Sequence, residues 1–64
     1  MWKIILVVFF LNGQVETTEL PIAALTGENS LASCEEFKHE FELQNPASSL
    51  PSNISHYRVA CIGE

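Results

Sequence analysis

Met1-Trp2-Lys3-Ile4-Ile5-Leu6-Val7-Val8-Phe9-Phe10-Leu11 opens the chain, with one lysine ahead of an unbroken apolar run. The reading of this run decides how much of the chain is left to fold. A cationic start, a short apolar stretch and then small or polar residues make the pattern of a secretory leader. The run is also well short of the roughly 20 residues that span a bilayer as a helix, so no stable membrane insertion is expected. Cleavage after Thr17, with Val15 two positions earlier, gives a leader of ordinary length. Cleavage after Gly13 is the alternative, and Ala24 lies too far from Leu11. A competing reading keeps the run, as an uncleaved anchor or a buried strand.

The leader reading divides the chain into a signal peptide (1–17), a flexible arm (18–30) and a disulfide-bridged mini-domain (31–64). The 64 residues have a hydrophobic content of 47%, but much of that sits in the leader. Cleavage after Gly13 leaves Lys38 and Arg58 against eight glutamates, so 2 minus 8 gives a net charge of −6. Such a chain repels polyanions, and the clustered Lys and Arg that binding to nucleic acids or anionic membrane surfaces requires are absent, so neither partner is expected. A product this small is near the size at which bridges or partners supply part of the stability.

The segment from Thr18 to Asn29 contains Pro21 and Gly27 and keeps no period, hence the expectation of a mobile arm. Ser33-Cys34-Glu35-Glu36 fits a capping box, with Ser30 as an alternative start. From there Cys34, Phe37 and Phe41 share one side of a helix expected over about 31–44, joined by Leu31 if the helix begins early. Asn45 before Pro46 is pushed out of helical geometry and ends it. Two prolines and three serines mark Asn45 to Asn53 as loop. The stretch from Ile54 to Ile62 reads as a strand with Tyr57, Val59 and Cys61 on one side. The expected fold is a small α+β or largely irregular mini-protein with one helix, one strand and one disulfide.

Cys34 and Cys61 are the two cysteines, and an exported chain is expected to pair them, closing a loop worth roughly 3–4 kcal/mol. A disulfide-linked dimer is the other pairing open to them. Asn53-Ile54-Ser55 is an N-glycosylation acceptor in an exposed loop. Cys34, His39, His56 and Cys61 raise the question of zinc, but a spacing of five residues turns helix positions about 140° apart, and on a strand it points them to opposite faces. Neither a metal nor another cofactor is expected. Glu35, Glu36, Glu40 and Glu42 read as a solvated helix face rather than a catalytic pair, and a chain this short rarely builds a cleft, so no enzyme is expected.

Leu31, Phe37, Phe41, Tyr57 and Val59 have two readings: a small core between helix and strand, or a partly exposed partner surface. Together these features point to a secreted, acidic, glycosylated mini-protein that binds an extracellular protein or receptor without catalysis, as small chains of exocrine fluids such as seminal fluid, saliva or venom do. Two alternatives stand beside it. One is a single-disulfide protease inhibitor presenting the Pro46–Asn53 loop. The other is the N-terminal piece of a larger extracellular domain, suggested by an apolar strand so close to Glu64.

Overall fold

In the computed structural model, which describes residues 1–64, the apolar run is a strand, β1 (Trp2–Phe10), that turns back into β2 (Val15–Pro21). The reversal is chemical. Gly13 takes φ +89°, a left-handed conformation that glycine adopts without steric cost, and its N–H donates to Phe10 O at 3.0 Å. The Phe10 N–H then closes the loop onto Gln14 O at 2.9 Å, and Asn12 Oδ1 accepts from the Gln14 N–H at 3.0 Å.

A short helix α1 (Ile22–Thr26) follows and ends at Gly27, again left-handed at φ 79°. The main helix α2 (Leu31–Gln44) and β3 (Ile54–Gly63) complete the chain, with a 3-10 turn at Ala47–Ser49 between them. The sheet order is β2-β1-β3, antiparallel throughout, so the opening run is the central strand. The stretch 18–30, expected as a flexible arm, therefore takes regular structure: it ends β2, forms α1 and supplies Asn29, whose Oδ1 accepts from the Trp2 N–H at 2.7 Å.

Helix α2 covers the expected span, but its cap differs from the capping box read at Ser33. Ser30 is the N-cap, accepting from the Ser33 N–H at 3.1 Å, because Leu31 and Ala32 already have helical geometry. Ser33 lies inside the first turn, where its hydroxyl donates to Glu28 Oε2 at 2.8 Å. At the far end the Asn45 N–H and side-chain amide both donate to Phe41 O, and Pro46 stops the helix.

Strand residues directly opposite one another share a face. Ile4, Leu6 and Val8 lie opposite Cys61, Val59 and Tyr57 on one side and Leu20, Thr18 and Glu16 on the other, and this is the face that the helices cover. The core is small. Ile4, Ile22 and Cys34 are its buried apolar residues, with Trp2, Phe37, Val59 and Cys61 packed around them.

Candidate functional site

The Cys34–Cys61 disulfide ties the first turn of α2 to β3 across a Cα separation of 6.1 Å. Cys34 is fully buried, and its sulfur lies 3.7 Å from Lys3 O, a packing contact because a disulfide sulfur carries no proton to donate. Both thiols of the Cys/His set are thus bonded to each other. His39 is exposed on α2, and the His56 ring stacks on Phe9 at 4.3 Å.

Four of the five residues read as core or partner surface line the seam between α2 and the sheet, while Leu31 stays 44% exposed at the helix start. Phe37 and Phe41 continue the stripe begun by Cys34, and Phe41 meets Tyr57 edge-on at 5.5 Å. The Tyr57 hydroxyl donates to Asn45 O at 2.7 Å. Burial, and then the nearby Glu42 carboxylate, raise its pKa above the ordinary tyrosine value. A cavity of about 100 Å³ remains in this seam among Ile4, Leu6, Leu20, Leu25 and Phe37. A wider groove of about 540 Å³ runs beside the outer edge of β3, lined by Lys38, Glu42, Leu50 and Arg58 among others.

The loop read as a candidate inhibitor segment is held at its far end, where Ile54 N–H donates to Pro51 O and Leu11 N–H to Asn53 O, each at 3.0 Å. Asn53 itself is exposed, immediately before β3.

The feature that residue-by-residue reading passed over is the second face of the sheet. Lys3, Ile5, Val7 and Phe9 of β1 lie on it, between Pro21, Glu19, Thr17 and Val15 of β2 and Ile62, Ala60, Arg58 and His56 of β3. The helices pack on the opposite side. Ile5, Val7 and Phe9 are shielded only by their own sheet neighbours, and Val15 and Ile62 are 53% and 41% exposed. An apolar run without alternation is the composition of a strand covered on both faces, and here only one face has its cover. The sequence signal that could have found this was Asn12-Gly13, a hairpin turn directly after an apolar run.

Comparison with protein-family models, with curated proteins and with solved structures finds no match to this chain.

Proposed function

We propose that the chain is an exported, acidic mini-protein that acts without catalysis by binding an extracellular protein. The observation that carries this is the Cys34–Cys61 bridge, since a disulfide built into the core of so small a fold suits an oxidising compartment. In a chain that keeps β1, the bare apolar face of the sheet also favours association, because a surface of this kind is most stable when covered. Asn53, exposed and followed by Ile54-Ser55, is the proposed glycan acceptor.

Export through a cleaved leader and assembly of the sheet draw on the same residues. Cleavage after Thr17 removes all of β1 with the start of β2, and cleavage after Gly13 removes β1 with its turn. A chain that keeps β1 binds with the whole two-layer fold. A processed chain binds with α2 and β3, held together by the bridge.

The intact mass of the product from a secreting host tests this, measured before and after reduction and after glycan removal. Recovery outside the cell, with the mass rising by two hydrogens on reduction, supports the proposal, and the N-terminal residue then reports which form acts. A product retained in the cell with both thiols free overturns it.

The bare face also favours a second reading, in which the chain is one layer of a larger extracellular domain whose missing layer covers Ile5, Val7 and Phe9. Under that reading the isolated 64-residue chain shows no cooperative unfolding transition.

A further inference from the structure

We propose that the bare sheet face is the interface of a symmetric, non-covalent dimer, its occupant a second copy of this chain. The proposal goes beyond target binding and concerns the chain that retains β1.

Charge segregation selects this occupant. The chain carries a formal charge of −5, yet the open face and its rim hold Lys3 and Arg58 against Glu19 and Glu64, two cations with two anions. Lys3 and Glu64 already pair at 3.1 Å. The whole net charge lies elsewhere, as Lys38 against Glu16, Glu28, Glu35, Glu36, Glu40 and Glu42, one minus six. Two copies can therefore meet through apolar, neutral surfaces while their acidic helix layers point apart. At physiological salt the Debye length is about 8 Å, shorter than the separation of those outer layers, so their repulsion is largely screened.

The pattern also selects the geometry. Glu19 sits opposite Ile5 on the β2 side, and Arg58 opposite Val7 on the β3 side. A twofold axis along β1 lays β2 of one copy over β3 of the other, which sets Glu19 near Arg58 of the second copy, twice over. An axis across the strands would instead set β2 over β2 and bring the two Glu19 carboxylates to the same side. Sheets stacked face to face lie about 10 Å apart, within reach of an arginine and a glutamate extending towards each other.

The area places the interface in a size class. Nine residues of β1 at about 3.4 Å each and three strands about 4.8 Å apart give a flat footprint of roughly 440 Å² per copy. Both copies together reach roughly 900 Å² before side-chain relief is added, below the roughly 1,200–2,000 Å² of stable specific interfaces and within the weak, transient class, so the dimer is reversible and a Kd on the order of 10–100 μM is taken as the working range.

Sedimentation equilibrium of the oxidised full-length chain, from about 5 μM to about 1 mM around that Kd, tests this. The weight-average mass is expected to climb from the 7.1 kDa monomer towards twice that value and stop there. Val7→Lys, in the middle of the face, is expected to hold the chain at the monomer mass. Glu19→Arg and Arg58→Glu, at exposed positions that leave the core intact, are each expected to weaken association roughly 3- to 10-fold, and the double exchange to restore it. A chain that stays monomeric throughout, one that grows past the dimer as open sheet edges would cause, or a double exchange that merely adds the two losses would each overturn the proposal. Because export and the bridge are read from the mass of the secreted product and self-association from sedimentation of the full-length chain, either proposal can fail without the other.

Discussion

Gly13 and Tyr57 are the residues whose substitution has the most direct physical reading. Gly13 holds φ +89° at the hairpin turn with open space around the position where a Cβ would stand, so the cost of a side chain there is conformational rather than steric crowding. Gly13→Ala is expected to lose about 1–2 kcal/mol, seen as a lower urea midpoint with an unchanged slope. Tyr57 is the single tyrosine of the chain, and its folded pKa is raised by burial and then by Glu42. The unfolded tyrosine ionises near pH 10, before the folded one, so the stability it contributes is full below about pH 10 and is lost as pH rises through the folded value. Tyr57→Phe is expected to cost about 0.5–1.5 kcal/mol near neutrality through the lost bond to Asn45 O, and to unfold less steeply in alkali than the parent, as followed by circular dichroism.

At the scale of elements, β1 decides whether the sheet exists. Both β2 and β3 pair with β1, and neither pairs with the other. A chain lacking residues 1–14 is expected to lose cooperative unfolding, because one strand beside a helix leaves most backbone groups of the sheet to water. Denaturation of that truncated chain, with the disulfide formed, is the measurement; a sharp transition would show that α2 and β3 suffice without the centre of the sheet. The helix was more legible than the strands. The stripe Cys34, Phe37 and Phe41 and the Asn45-Pro46 stop placed α2 over its observed span, whereas the cap moved from Ser33 to Ser30, since either serine has the chemistry and only the packed first turn distinguishes them. Strand β3 was readable as alternation over Ile54 to Ile62, with Tyr57, Val59 and Cys61 turned to the helix, and it extends one residue further to Gly63. Strand β2 gave no signal of its own, for every one of its residues is exposed and its pairing rests on backbone hydrogen bonds to β1.

For the molecule as a whole, a thin two-layer build leaves little to hold it: four residues are buried, so the bridge carries an unusual share of the stability. With a separation of 27 residues, closing the loop is worth roughly 3.5 kcal/mol in the chain-entropy model. Domains of this length have a total on the order of 3–10 kcal/mol. Reduction is accordingly expected to lower the thermal midpoint by roughly 15–25 °C, checked by thermal melts with and without reductant. The same thinness leaves a whole sheet face uncovered, which no single residue reveals.

Sequence alone determined the span of α2, the alternation of β3 and the acid excess, because each is written in local spacing or in composition, whereas a count of two cysteines left pairing within one chain or between two open until the fold set Cys34 and Cys61 6.1 Å apart at Cα. Only the tertiary structure decided where the opening run goes in the intact chain. Eight consecutive apolar residues have no period to separate an export leader from a central strand, and the distinction rests on partners that the run itself does not contain. Its β3 partner lies more than forty residues away, and the face left bare is defined only once that strand, β2 and the helices have all taken their sides.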